Sequence, residues 1–399
     1  MIGHPELSAV PAGPAIAQQP AWHDHPDHPA VCAWLSKAPP LVTWSEIGET
    51  WRAVALVAAG AALLIQAGDC AESLDECTEA HVGAKVAMLD RLAGQVRAAT
   101  GTEVIAAGRM GGQFAKPRSH PVERHGDREL PAFRGHMVNA ETMDPEARRP
   151  DPWRMVRAYR ASDEVLRGLR RHRRRRRPVT GASVPCGPWS SHEALVLDYE
   201  ANLIRTDAAT GAAFLGSTHL PWVGERTRQG ASAHLALLAA VGNPVACKIG
   251  PSATVADVLA ICEQLDPDRR AGRLTLIARM GAEHVGAALP PLITAVRRRG
   301  HPVVWLCDPM HGNTVRTSDG LKTRHLRRIT AEALTFRDTL LRHRLHPGGL
   351  HLEVAASDVT ECIGGRVRDE NALRTRYTTL CDPRLNPDQA SALLAAWTS

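Results

Sequence analysis

Residues 305–314, WLCDPMHGNT, put a histidine where it could do chemistry. Val303, Val304, Trp305 and Leu306 make a short apolar run with β-branched and aromatic members, and Cys307, Asp308 and Pro309 end it. The pattern predicts a buried strand with a polar tip. Pro309 stops further ladder pairing, and Gly312 is expected to let the backbone turn sharply. A histidine at such a tip can bind a metal, move a proton or simply pack. Other ligating residues stand at comparable places: Cys70 in GDCAE, Glu353 in the run LHLEV, and Asp382 in CDPRLN. A thiolate, an imidazole and two carboxylates suit a divalent ion such as Mn²⁺, Co²⁺, Fe²⁺ or Zn²⁺. No short spacing links the four, so a buried thiol with unrelated surface carboxylates remains the alternative reading.

A second group is cationic: Arg109, Lys116, Arg118, Arg226, Arg228, Lys248 and Arg279. Each lies near Gly or Pro close after a short apolar run. If they converge, they would hold phosphate or carboxylate groups through charge-assisted, partly bidentate bonds.

The elements that must position these residues recur along the chain. Apolar runs are expected at 61–66, 103–106, 179–184, 220–223, 244–247, 274–277, 303–306 and 350–354, most of them separated by helical patterns. Helical periodicity is clear over 79–99, where Val82, Val86, Leu89, Ala93 and Val96 share a stripe. Ser45 or Thr50 is expected to cap a helix ending near Gly60, and residues 194–205 are expected to be helical. Thr254 and Asp257 are spaced as a capping box ahead of a face carrying Val255, Val258, Leu259 and Cys262. Asn386, Pro387 and Gln389 start a last helix. Each strand leads into charged, Gly-bearing or His-bearing residues. This is the pattern of a (β/α)8 TIM barrel, whose active site gathers at the C-terminal strand ends. An open doubly wound sheet would not predict functional tips on all of its strands. The expected organisation is an N-terminal extension (1–60, arm and helix) followed by a barrel domain with a C-terminal helix (61–399).

Composition bounds the rest. An apolar fraction of 44% in 399 residues supports a large core. No run is long enough for a membrane span, and the N-terminus lacks the pattern of a secretory signal. Nine scattered cysteines, several in apolar runs, point to reduced thiols and a cytoplasmic setting. The net charge of +6 comes from Arg170, Arg171 and Arg173 to Arg177; without them the chain is essentially neutral. A nucleic-acid tract is one reading of RRHRRRRR. A solvated loop is preferred, because no nucleic-acid module accompanies it. Residues 1–45, with His23, His25 and His28, are read as an extended arm with short helices rather than a specific metal site.

The motifs GDCAE, RMGGQFAKPRS, SSHEAL, WVGERTRQ, NPVACKIGP, GRLTLIARMGA, WLCDPMHGNT, KTRHL, HPGGLHLEV, DVTECIGG and CDPRLN resemble those of class II (plant-type) 3-deoxy-D-arabino-heptulosonate 7-phosphate (DAHP) synthases. The resemblance runs from Gln18 to Trp397. It implies condensation of phosphoenolpyruvate with erythrose 4-phosphate, the first step toward aromatic compounds, by a divalent-metal enzyme, with Mn²⁺ the first choice. Carried over by motif, Cys70, His311, Glu353 and Asp382 match the metal ligands. Arg109, Lys116, Glu225, Arg226, Lys248 and Arg279 match the phosphoenolpyruvate pocket, and Arg118, Ser119 and Arg226 the sugar-phosphate site. Lys116 and Glu225 are the candidates for proton handling and for orienting water. The resemblance also implies a homo-oligomer, dimer or tetramer, without membrane or nucleic-acid partners. Departures occur at Arg134-Gly135-His136, at 227–234, where an Asp is missing, and at Asn243-Pro244-Val245-Ala246. They keep open an amino- or imino-sugar phosphate as second substrate, as in aminoDAHP-type synthases, and a catalytically degraded regulatory homologue. A short stretch between Tyr199 and Thr218 is expected to weaken feedback by aromatic amino acids, as in a paralogue dedicated to specialised metabolism. If Cys70 and Asp382 share an ion, Cys381 must lie close to Cys70, so the metal-free site could close into a disulfide.

Overall fold

A computed structural model describes residues 16–125, 128–175, 187–230 and 232–399. Its centre is a parallel eight-stranded sheet: β1 (Ala62–Gly68), β2 (Glu103–Arg109), β3 (Trp189–Ser190), β4 (Trp222–Val223), β5 (Val245–Ile249), β6 (Leu274–Ala278), β7 (Val304–Cys307) and β8 (Gly349–Glu353). The spatial order is β3-β2-β1-β8-β7-β6-β5-β4. The two ends then meet. Leu220 N–H donates to Ser190 O, Trp222 N–H to His192 O and Ala194 N–H to Trp222 O, with a parallel bridge between Glu193 and Trp222. The sheet is thereby curled into the expected (β/α)8 barrel, and these contacts leave no bare edge.

Strand side chains alternate between two cores because the strand period is two. Leu63, Ile65, Ala67, Val104, Ala106, Leu274 and Leu276 face outward into the layer shared with the helices. Ala62, Leu64, Ile105, Ala107, Trp189, Trp222, Ala246, Ile277, Val304 and Leu306 fill the lumen. Helix α1 (His28–Lys37) and helix α2 (Trp44–Ala58) precede β1. Ala53, Val54 and Val57 of α2 pack into that same lumen cluster and so close its N-terminal end. Thr43, neither Ser45 nor Thr50, caps α2, and Glu46 completes the capping box.

Further helices are α3 (Glu79–Thr100), α4 (Trp153–Arg175), α5 (Leu197–Ala201), α6 (Ala233–Ala239), α7 (Val255–Leu265), α8 (Val285–Arg298), α9 (Leu326–Arg342) and α10 (Pro387–Thr398). The α3 stripe is buried as expected. The capping boxes at Thr254/Asp257 and Asn386/Gln389 are both present. On α7 the buried face is Val258, Ile261, Cys262 and Leu265; Val255 is exposed, because it begins the helix at the surface. The helix expected over 194–205 is only α5. Past it the backbone turns into a hairpin, Ile204–Thr206 with Ala213–Leu215, whose ladder replaces the helical bonds. The apolar run at 179–184 lies outside the described residues, and the third barrel strand is Trp189–Ser190. Among the described residues no helix is long and apolar enough to cross a membrane.

The Arg tract is not a solvated loop up to Arg175: it is the last part of α4. Arg170 Nη2 and Nε each lie 2.9 Å from the Glu46 carboxylate, and Arg173 binds the same group. Arg173 also lies over the Trp189 ring at 4.7 Å. The tract therefore fastens α4 to the helix that plugs the barrel. Burial pushes the Glu46 carboxyl up, but the His219 ring 4.0 Å away and the hydrogen bonds from Arg170 outweigh it and hold the group well below the usual carboxylate range. Burial drives the His219 imidazole down to about 4.

Glu46→Gln is expected to destabilise the protein by about 1–3 kcal/mol at pH 7, since it leaves paired guanidinium groups without their counter-charge. Glu46 is depressed on folding, so its contribution is complete above an unfolded value of about 4.3 and is lost as pH falls below it. Thermal denaturation should show the variant–wild-type gap shrinking below about pH 4; a gap independent of pH would contradict the ion pair.

Candidate active site

Strand register sets the floor of the site. Gly68 pairs with Arg109 on one side and with Glu353 on the other. Arg109 and Glu353 therefore end the two strands that flank β1, at one level, and point inward, Arg109 continuing the row Ile105-Ala107 and Glu353 following His351. A Cβ on Gly68 would lie 2.8 Å from Arg109 O, so only glycine allows this approach. Cys70 follows two residues later.

Glu353 is fully buried and heavily contacted. Arg109 Nη2 lies 3.0 Å and His311 Nε2 3.1 Å from its Oε1, and Arg324 Nη1 lies 2.7 Å from Oε2. Lys116 Nζ is 3.6 Å from both Glu353 Oε1 and Asp382 Oδ2. Cys70 Sγ lies 3.6 Å from Asp382 Oδ2, and Asp382 N–H donates to that sulfur at 3.2 Å. Donor atoms of Cys70, Glu353 and Asp382 lie within 4.8 Å of one another, and His311 joins them through Glu353. The four predicted ligands thus come together. Their soft and hard donors fit a divalent transition ion held by protein side chains. Burial and contact with Cys381 raise the Cys70 thiol well above its ordinary value. A nearby divalent charge would reverse that, since metal-bound thiols are deprotonated.

Loop anchors place these groups. Asp69 is held by Lys85 of α3 and by Arg384, both at 2.7 Å, and Arg384 is clamped by Glu361. One ion-pair chain therefore fixes Cys70 on one side and Asp382 on the other. Glu72 accepts the N–H groups of Gly111, Gly112 and Gln113 at 2.8–3.0 Å, which folds the loop carrying Lys116 over the barrel. Gly312 does not adopt the left-handed conformation expected for a sharp turn. Its necessity is steric: a Cβ there would lie 2.4 Å from Gly281 N, where the tips after β6 and β7 touch.

His311 is oriented by Asp308, whose Oδ2 lies 2.7 Å from its Nδ1 and 2.8 Å from Lys248 Nζ. Burial lowers the Lys248 ammonium to about 8, with Asp308 opposing. Burial also opposes ionisation of Asp308 and Glu353. His311 and Lys248 overcome it at Asp308; His311, Arg324, Lys116 and Arg109 do so at Glu353, and both carboxyls stay well below their ordinary values. Below them lies a polar layer: His351 Nδ1 bonds Gln66 Oε1 at 2.7 Å, and its Nε2 meets Arg109.

Above this floor opens a cleft of about 690 Å³, lined by Lys116, Arg118, Ser119, Glu225, Arg226, Lys248, Arg279, His311 and Asp382 among others. Arg226 Nη2 donates to Ser119 Oγ at 2.8 Å. Arg118 lies 2.8 Å from Glu123. Two cations fall outside the lining. Arg109 is 1% exposed and spent on Glu353 and His351 beneath it. Arg228 is turned onto Glu225 at 2.6 Å. Asp308, His351, Gln66, Lys322, Arg324 and Glu193 were not among the predicted site residues. Arg324 and Lys322 stood in KTRHL, and Asp308 in the opening motif. The inward period-two row Ile277-Arg279 or His351-Glu353 was the available signal for the rest. Of the motif departures, His136 bonds Glu141 and Leu74 N–H, Ala246 is in the lumen, and neither lines the cleft; Ala231 lies outside the described residues.

Fold and site together define a (β/α)8-barrel enzyme with a cleft walled by cations. The chain belongs to the class-II DAHP synthetase family, whose model matches residues 12–176 and 183–397. It is 47% identical over 381 residues to a protein of Pseudomonas fluorescens described as a probable phospho-2-dehydro-3-deoxyheptonate aldolase, covering 95% of this chain and 94% of that one. A phospho-2-dehydro-3-deoxyheptonate aldolase of Streptomyces coelicolor is 38% identical over 418 residues, covering 94% of this chain and 92% of the relative. The solved aldolase of that name from Francisella tularensis shares the fold at a TM-score of 0.54 and 13% identity, over 92% of this chain and 95% of the other.

Cys381 lines the cleft, and the influence of the Cys70 thiol holds the Cys381 thiol below its ordinary value. Mild oxidation of metal-free protein is expected to join the two, and a bound divalent ion to prevent it by occupying the thiolate. Peptide mass spectrometry decides: free thiols at both positions after oxidation, or equal oxidation with metal bound, would overturn the expectation.

Proposed function

We propose that this chain catalyses the metal-dependent condensation of phosphoenolpyruvate with erythrose 4-phosphate, giving DAHP and phosphate. The observation that carries the reading is the meeting of Cys70, His311, Glu353 and Asp382 at the floor of a cleft walled by cations. Phosphoenolpyruvate brings a phosphate and a carboxylate, and Lys116, Lys248, Arg226 and Arg279 would hold them by charge-assisted bonds. Arg118, Ser119 and Arg226 would take the phosphate of the aldehyde. Holding both anions in near-attack geometry supplies much of the rate.

Cys70, His311, Glu353 and Asp382 would hold the ion, with Mn²⁺ the first choice and Co²⁺, Zn²⁺ or Fe²⁺ also suited. When bound, it supplies Lewis acidity at the aldehyde oxygen. C3 of phosphoenolpyruvate then adds to the aldehyde carbon, water adds at C2, and the C2–O bond to phosphate breaks. Glu225 faces the cleft and would orient the water and receive its proton. Lys116, its ammonium kept protonated by Cys70, Glu353 and Asp382 despite burial, would donate toward the forming alkoxide. Arg109 acts from below by neutralising Glu353. The free thiols accord with a cytoplasmic setting. A homo-oligomer and a pathway-dedicated role are carried by the resemblance and the short 199–218 connection.

A substrate panel with phosphoenolpyruvate and sugar phosphates tests the pairing: the greatest turnover with erythrose 4-phosphate is expected, and turnover with an imino-sugar phosphate alone would move the chain to an aminoDAHP-type reaction. Chelation should abolish phosphoenolpyruvate consumption, and Mn²⁺ or Co²⁺ should restore it; activity that survives thorough chelation would remove the metal from the reaction. Lys248→Ala and Arg279→Ala should each cost about 1.5–3 kcal/mol, or roughly 10–150-fold in kcat/KM for phosphoenolpyruvate. Unchanged kinetics in both would place the anion elsewhere.

A further inference from the structure

The sequence reads the histidine-rich segment as an extended arm with short helices and no specific metal site, but the fold gives its histidines partners. Residue 28 begins α1, and Cys32 follows one turn later on the same face. His28 Nε2 lies 3.5 Å from Cys32 Sγ and 3.1 Å from Asp198 Oδ2, a residue of α5 that is 170 positions away in the chain. The His23 ring packs edge-on against His28 at 5.2 Å, and ligand atoms of His23, His28 and Asp198 all lie within 4.8 Å of one another. Asp198 is held in place by Trp22 Nε1–H at 2.9 Å, and Trp22 is itself buried. None of these residues lines the barrel cleft.

We infer that His23, His28 and Asp198 form a second binding site for a divalent transition ion of the zinc class, which clamps the N-terminal arm to α5.

The distances suit it. An ion with bonds of about 2.0–2.2 Å to N and O separates tetrahedral ligand atoms by roughly 3.3–3.5 Å, near the 3.1 Å between His28 Nε2 and Asp198 Oδ2. The donor set is two imidazoles and a carboxylate, which zinc accepts. An indole N–H on the ligating carboxylate is the outer support that orients such ligands. The arm it fixes is consequential. Gln18 exchanges hydrogen bonds with the Arg118 backbone at 2.9 and 3.2 Å, and Gln19 accepts from Leu197 N–H at 2.9 Å. An ion here therefore stiffens a segment that braces one wall of the cleft.

The test loads full-length protein with Zn²⁺, removes excess by gel filtration and measures metal per chain. His23→Ala/His28→Ala is expected to retain a full equivalent less than wild type, with an unchanged circular dichroism spectrum and turnover. Hydrogen exchange over residues 22–37 should slow on Zn²⁺ addition in wild type only. Equal metal content in wild type and the double variant, or exchange over residues 22–37 that Zn²⁺ leaves unchanged in wild type, would overturn the site and leave a hydrogen-bonded cluster only.

Discussion

The carboxylate of Glu353 is the group on which the site depends. It sits at the end of β8 with no exposure, where an uncompensated charge would be prohibitive. Arg109 reaches it from β2, Arg324 from the hairpin after β7, Lys116 from the loop after β2 and His311 from the tip of β7. Each partner is itself buried or largely so, and each is tolerable only because the others are there. The result is a rigid charged floor built from four separate segments. Its geometry is therefore set by the barrel and not by any one loop.

The barrel makes this possible through a gradient of polarity along its axis. At the N-terminal end α2 closes a lumen of Ala, Val, Leu, Ile and Trp. One step up, Gln66, His351, Arg109 and Ser191 form a hydrogen-bonded layer. Above that stand the ligating and anion-binding groups. The intermediate layer satisfies its own polar atoms, so the charged layer rests on neutral dipoles instead of hydrocarbon, which lowers the desolvation cost of burying it. Trp222 contributes its face to both Arg109 and Lys248, at 5.2 and 5.7 Å, and so joins the lumen to the cationic wall.

Outside the barrel, the same economy of pairing recurs at two places. Glu46 takes the arginines of α4, so a tract that looks like a nucleic-acid motif is consumed in holding two helices together. Asp198 takes Trp22 and His28, and so draws the arm against α5. In both cases one acidic residue organises several donors from distant parts of the chain.

The sequence by itself determined the alternation of short apolar runs with helices, the polar tips that follow them and two of the capping boxes, because these depend on side-chain period and on contacts a few residues apart; the four-ligand set it assigned only through the resemblance of its motifs. It could not decide which tip groups pair. Cys70 and Asp382 are separated by 312 positions, and Arg109 and Glu353 by 244. Their meeting follows from the register Arg109–Gly68–Glu353, which exists only once the sheet is assembled. The same holds where local reading went astray. Arg228 looked like a free cation until Glu225 was placed beside it, Gly312 looked like a turn until Gly281 approached it, and the Arg tract looked solvated until α2 brought Glu46 to it. Sequence supplies local periodicity and chemical type; the choice among possible partners belongs to long-range packing, which brings together charges that no spacing rule connects.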